Sequence, residues 1–190
     1  MNANAQKNEP NIVNGINVDE LFGMVESVKA DASKAETSWR VATTWQGQTR
    51  TRAEVEGFSI GGQDVLRRFT IDIDEPCELG GTNQSANPQE HLIAALNACI
   101  VVGYVAQCAV RGITLESLRI ETEGEIDLRG FLGLDPQVAN GYENLRYTVH
   151  IKGNGTEQQF VEVHDAVMAT SPNVYNLANA VTLKSTLVVG

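Results

Sequence analysis

Residues 87–112 read NPQEHLIAALNACIVVGYVAQCAVRG, an apolar run with Cys99 near its middle. At about twenty residues it is close to the length that spans a bilayer. Its start is marked three times: Asn87 can accept from the first free amides, Pro88 suits the first helical position, and Glu90 completes a capping box. Gly112 supplies the stop. A spanning helix would place His91, Asn97 and Gln107 in hydrocarbon, where each needs a partner, and no Lys or Arg cluster flanks the run. The expectation is a helix buried in a soluble fold, with no membrane partner.

Composition supports that expectation. The chain has 190 residues, 42% hydrophobic and 20% charged, within the range of one globular domain with a sizeable core. With 14 basic against 24 acidic residues the formal net charge is −10, so no basic face is expected for phosphates and nucleic acid is excluded as a partner. The carboxylates are scattered, which reads as solubility. MNANAQKNEPNIVNG holds no apolar run that could serve as a secretory signal, and the expected address is the cytoplasm. Cys77, Cys99 and Cys108 are odd in number and lack a CxxC pair, which argues against a disulfide framework or a zinc knuckle. His91, His150 and His164 have no metal spacing. Dinucleotide, Walker and GxSxG signatures are missing as well. Neither a metal nor a cofactor is expected.

Outward from the central run, residues 1 to 16 are polar and Asn-rich and read as a loosely attached arm. Asn17 and Glu20 form a capping pattern, and Val18, Leu21, Phe22, Val25 and Val28 predict an amphipathic helix over 17–31. From Thr37 the period becomes two. Trp39, Val41, Thr43 and Trp45 share a face, QGQ offers a turn, and Ala53, Val55 and Gly57 follow, which predicts a hairpin; a third strand is expected over Leu66–Ile73. After the central helix, strands are predicted over Leu118–Ile126 and Leu145–Ile151. Thr156 and Gln159 cap a helix to about Ala169, Ser171-Pro172 begins another, and Val181, Leu183, Ser185, Leu187 and Val189 predict a closing strand. Strands, helix, strands, helices and strand in that order predict an α+β fold with a mostly antiparallel sheet.

Cysteine is the best nucleophile present. Cys99 and Cys108, nine residues apart, lie about 180° around the helix and about 13.5 Å along it, so they cannot bridge each other. Cys99 is about 18 Å from the helix start, too far for the dipole to help it, and a reactive thiolate there needs a cation from elsewhere. Taken alone, Cys99 reads as a core thiol.

NPQEHLIAALNAC, the Gly112-Ile113 that follows the helix, a strand from Leu115 and the late SPN together resemble the OsmC/Ohr superfamily of organic hydroperoxide reductases. The resemblance runs from about Trp39 to Val189, and WQGQTRTR and IDEPCELGG are similar to the family's first hairpin and its approach to the helix. Residues 1–36 fall outside it, giving an N-terminal arm with a short helix and an OsmC-like domain over 37–190. The resemblance implies an intertwined homodimer with the long cysteine helix buried centrally and active sites at the subunit interface. It implies further that an arginine of the first hairpin holds the reactive cysteine as thiolate, that a glutamate at the helix start orients the arginine, and that a second cysteine resolves the oxidised first.

Carried over residue by residue, the reactive position is Cys99 and the arginine is Arg50 or Arg52. Two positions depart from the pattern: Gln89 stands where the family has glutamate, and Ser171-Pro172 stands where it has the resolving Cys-Pro. Ser171 is expected to cap a helix, and Gln89 to line the site through its amide. The implied function is a single-cysteine peroxidase for small apolar hydroperoxides, reduced by an external thiol. The alternative is a non-catalytic protein that binds a small apolar ligand at the dimer interface. A third reading is an interaction module whose N-terminal helix recruits a partner.

Overall fold

Residues 9–190 are described by the structure, a computed structural model of the chain. Near its start β1 (Ile12–Val13) and β2 (Ile16–Asn17) form a small antiparallel hairpin. Asn14 and Gly15 close it at φ 52° and 79°, the pair that a two-residue turn of this kind favours. This corrects the expected loose arm over its last residues: the Asn-Gly signal was present, but two-residue strands are too short to show alternation. Residues 1–8 of that expectation lie outside the described residues. The helix α1 (Val18–Ala30) starts as predicted, with Asn17 Oδ1 accepting from the N–H groups of Asp19 and Glu20 at 3.2 and 3.3 Å.

The strand expected over Trp39–Trp45 is two, β3 (Thr37–Trp39) and β4 (Ala42–Trp45). Both pair antiparallel with β5 (Thr51–Ile60) along one edge, in registers Trp39↔Phe58 and Ala42↔Glu54 that differ by one residue. The chain therefore kinks at Arg40-Val41. The QGQ turn stands as predicted, with Gly47 and Gln48 at positive φ. On the other side of β5 runs β6 (Gln63–Ile73), three residues longer at its start than predicted. Trp39 stacks on Phe58 at 4.7 Å, and the Arg67 guanidinium lies over both rings. Much of this sheet's apolar surface is exposed, including Trp39, Trp45, Leu66 and Phe69.

The remaining elements are α2 (Pro88–Val110), β7 (Leu115–Glu123), the short α3 (Leu128–Phe131), β8 (Arg146–Gly153), α4 (Glu157–Thr170) and α5 (Pro172–Ala178). Two compact units make up the chain, Met1–Leu92 and Ile93–Gly190. In the second, the stripe Leu96, Ile100, Tyr104 and Cys108 repeats every four residues of α2 and packs with Ile113 and with Val163 and Val167 of α4. The inward side chains of β7 and β8, among them Leu118, Ile120, Val149 and Ile151, lie against it. Their outward faces carry ion pairs such as Arg146 with Glu123 and Lys152 with Glu116, which gives the alternation its wet side. The Tyr104 hydroxyl and His164 Nδ1 share a hydrogen bond at 2.5 Å, and burial pushes the phenol up to about 12.

Every strand pairing among the described residues is antiparallel, and the fold is α+β as predicted. α3 was not foreseen; Asp127 caps it by accepting from the N–H of Arg129. α2 is long and apolar enough to cross a membrane on length and composition. In this chain it is buried along one stripe, while Val102 on another side is 67% exposed. The strand predicted over Val181–Val189 is corrected: residues 181–190 form no strand and are exposed. Alternation supplies two faces but not the neighbouring edge that a strand must bond.

Ile100 is fully buried in this core. Ile100→Ala is expected to lower unfolding free energy by about 2–5 kcal/mol, read as a fall in the denaturant midpoint with little change of slope.

Candidate functional site

Cys99 stands on α2 at the level where α4 ends and α5 begins, and its position follows from how closely these helices approach. A Cβ on Gly103 would come within 2.9 Å of Val167 Cγ1, so only glycine lets α4 lie this near. One turn back along α2 is Cys99, and one turn on from Val167 is Ser171. Their side chains meet, Cys99 Sγ to Ser171 Oγ 3.3 Å, and either atom can be the donor.

Ser171 is 6% exposed and serves both helices. Its N–H donates to the Val167 carbonyl, ending α4, and its hydroxyl oxygen accepts from the N–H of Val174, starting α5. The capping role expected of it is thus observed. With one lone pair of the oxygen taken by Val174, the hydroxyl keeps a hydrogen that it can give to the sulfur and a lone pair that can accept from it. Asn173 Nδ2 donates to the Ala95 carbonyl at 2.8 Å, the helical acceptor of the Cys99 N–H one turn on, and this pins α5 to α2. Sequence reading missed Asn173; the SPN motif contained it, but nothing in the motif named its partner. Cys108 is fully buried, its thiol pushed up by that burial, and Cys77 is exposed on a turn of the other unit. All three cysteines are free.

The other site residues predicted from sequence lie in the first unit. Arg52 makes a two-pronged contact with Asp72, directly opposite it on β6, at 2.7 and 3.2 Å. The pair raises the guanidinium and lowers the carboxyl, by their hydrogen bond first and their charges second in weight for the arginine. Arg50 instead donates to the Gln46 carbonyl at 3.3 Å and forms no ion pair among the described residues. Both border an open depression of about 430 Å³, lined also by Asp72, Asp74 and Gln84. Gln89 is half-buried in the first turn of α2. The start of that turn is closed by the predicted box, Glu90 N–H to Asn87 Oδ1 at 2.8 Å and Asn87 N–H to Glu90 Oε2 at 2.7 Å.

Comparison with known proteins adds three findings. A family model described as OsmC-like protein matches residues 81–186. No curated protein matches the chain by sequence. Among solved structures, an OsmC-like protein from Mycoplasma pneumoniae is similar with a TM-score of 0.59 at 16% identity, over 74% of this chain and 87% of its own. A protein described as an osmotic stress induced and detoxification response protein, from Psychrobacter arcticus, is similar with a TM-score of 0.54 at 15% identity, over 71% and 85%. An OsmC-like protein of unknown function from Vibrio cholerae gives 0.51 at 16% identity, over 73% and 92%.

A residue that sequence reading passed over organises the segment between β6 and α2. Asp74 is 1% exposed. It accepts from the hydroxyls of Thr82 and Thr49 and from the N–H groups of Glu75, Thr82 and Gln84. Thr82 first, then Thr49 and the backbone donors, hold its carboxyl well below the usual carboxylate range against the opposing effect of burial. A folded value below the unfolded one means that the stability it confers is present above about pH 4 and lost as pH falls from there toward the folded value. Asp74→Asn is expected to lower Tm at pH 7 and to flatten its decline between pH 5 and pH 2, measured by thermal melts across that range.

Proposed function

The chain belongs to the OsmC-like protein family, and on that premise we propose that it is a single-cysteine peroxidase acting on organic hydroperoxides. Cys99 as thiolate attacks the distal oxygen of ROOH, the O–O bond breaks, and RO⁻ leaves to take a proton as ROH. Cys99 becomes a sulfenic acid. An external thiol then attacks that sulfur, releasing water and leaving a mixed disulfide, and a second thiol frees Cys99 as the small disulfide departs. The contact of Cys99 Sγ with Ser171 Oγ at 3.3 Å carries this reading. A hydroxyl there can donate to thiolate and to sulfenic oxygen, which are charged or polar where the free thiol is not. It cannot become a disulfide partner.

The resemblance assigns the cation that holds the thiolate to the first hairpin. Of its two arginines Arg50 is the better candidate, because Arg52 is already committed to Asp72. An arginine keeps its charge at any working pH and offers a fork of donors. The reading places the protein in the cytoplasm, where thiol reductants are abundant, and as a pair of identical subunits. Support for the pair is the exposure of Val102 on α2 and of Trp39, Trp45 and Leu66 on the first sheet, more apolar surface than a lone chain normally leaves wet.

Treatment with cumene hydroperoxide followed by intact mass is the test. The native chain is expected to gain one oxygen at Cys99, and more under excess peroxide unless a small thiol is present. Ser171→Cys is expected to lose two hydrogens instead, as the two sulfurs close to about 2.05 Å. Ser171→Ala should slow oxidation of Cys99 severalfold, and Arg50→Met should slow it about tenfold or more, the equivalent of 1.4 kcal/mol in the barrier, with Arg52→Met affecting it less. An unmodified Cys99 in both the native chain and Ser171→Cys would overturn the peroxidase and leave a binder of small apolar ligands.

A further inference from the structure

Asp74 stands between two parts of the first unit. On one side is the turn of Gln46 to Thr49, which leads into Arg50. The turn is closed by its own backbone, Gln46 N–H to the Arg50 carbonyl at 2.8 Å and Arg50 N–H to the Gly47 carbonyl at 3.0 Å, and Trp45 Nε1 donates to the Gln48 carbonyl at 2.8 Å. Those bonds shape the turn but do not anchor its tip to the rest of the unit. Thr49 does: its hydroxyl donates to Asp74 Oδ1 at 2.7 Å. On the other side is the lead into α2, held by the same carboxylate through the N–H groups of Glu75, Thr82 and Gln84, while the Asp74 N–H donates to the Ala86 carbonyl at 3.3 Å.

The same contacts bear on the charge of Arg50. Two carboxylates, Asp72 and Asp74, border the depression of about 430 Å³ that Arg50 shares with Arg52, and either would attract a guanidinium. Neither has an oxygen to spare. Arg52 takes both oxygens of Asp72, at 2.7 and 3.2 Å. Asp74 offers about four lone-pair sites, and its donors fill them: Thr49 Oγ1 and the Glu75 N–H on Oδ1, the Thr82 N–H and Oγ1 and the Gln84 N–H on Oδ2. Arg50 is left with a backbone carbonyl, that of Gln46 at 3.3 Å, and no ion pair among the described residues.

We propose that Asp74 and Thr49 together position Arg50 for its work on Cys99. They anchor the turn that carries the arginine and, with the oxygens of Asp74 filled, leave the guanidinium uncommitted to a carboxylate and available to the thiolate and the peroxide oxygen. The proposal rests on the choice of Arg50 as the cation beside Cys99 and adds the residues that keep that arginine usable. Removing the Thr49 hydroxyl does two things at once. The turn loses its tie, and Oδ1 gains a vacant site that Arg50, on the same depression, can fill. A guanidinium paired with Asp74 stabilises a thiolate less, which raises the titration midpoint of the thiol and slows its attack.

Two measurements test it in a Cys77→Ser background, because Cys77 is exposed: the rate of Cys99 oxidation by cumene hydroperoxide and the pH midpoint of its alkylation by iodoacetamide, both read from the mass of the Cys99 peptide. Thr49→Val should slow oxidation severalfold and raise the midpoint, in the direction of Arg50→Met, with circular dichroism unchanged. Thr49→Ser keeps the hydroxyl and should recover most of the rate and the native midpoint. With Arg50→Met already in place, Thr49→Val should add little, since both act through one group. Thr49→Ala carries the same expectations if the valine chain does not fold. A native rate and midpoint in Thr49→Val beside a changed Arg50→Met would overturn the positioning role and leave Arg50 as the cation. Full multiplication of the two effects in the double variant overturns it as well, the hydroxyl then acting without the arginine. An Arg50→Met chain that oxidises and alkylates as the native one does overturns the choice of Arg50 and the positioning role with it. Alkylation needs no peroxide, so a midpoint that rises in both Arg50→Met and Thr49→Val supports the positioning role even where Cys99 resists oxidation and the peroxidase fails.

Discussion

The closeness of α2 and α4 at Gly103 is the constraint on which the second unit depends. With no Cβ at 103, Val167 packs directly against the helix backbone, and the stripe Leu96, Ile100, Tyr104 and Cys108 forms one buried cluster with Val163 and Val167. Antiparallel helices held at one level are held at the next. The turn that follows Val167 therefore brings Ser171 to Cys99, and the Asn173 to Ala95 bond fixes the start of α5 in the same place. Any larger residue at 103 would push α4 outward and separate Cys99 from Ser171.

Ser171 shows how one position answers two physical demands. A helix that begins directly after another needs a side-chain acceptor for its first amides, and serine supplies it. The same hydroxyl, while capping, also has a hydrogen that it can offer the sulfur. A cysteine in its place would cap poorly but could bond covalently; the serine caps well and cannot. In the proposed chemistry this shifts reduction of the oxidised Cys99 from within the chain to a thiol from solution, and exposes the sulfenic acid to further oxidation while it waits.

The apolar surface has a common logic across the chain. Val102 on α2, the tryptophans of the first sheet and the leucines of the tail are all exposed; α2 is packed along its other side and the sheet's strands are hydrogen-bonded to one another, while the tail is exposed throughout. A helix or strand patterned for burial on two sides needs two layers of cover. The described chain supplies one.

Much of this was legible in the sequence because it is local. The caps of α1, α2, α4 and α5 were readable since a cap is a bond between residues two or three apart, and the wet and dry faces of β7 and β8 were readable from alternation. The likeness of Asn87–Cys99 to a known family pointed to Cys99. What the sequence did not decide are matters of pairing between distant residues: the kink at Arg40-Val41 set by the register on β5, the five donors gathered on Asp74, and the carbonyl that Asn173 seeks. The pattern of residues 181–189 specified strand-like faces, yet the tertiary structure left them unpaired, because a strand is completed by another strand's free backbone groups and no pattern along one segment records where those are.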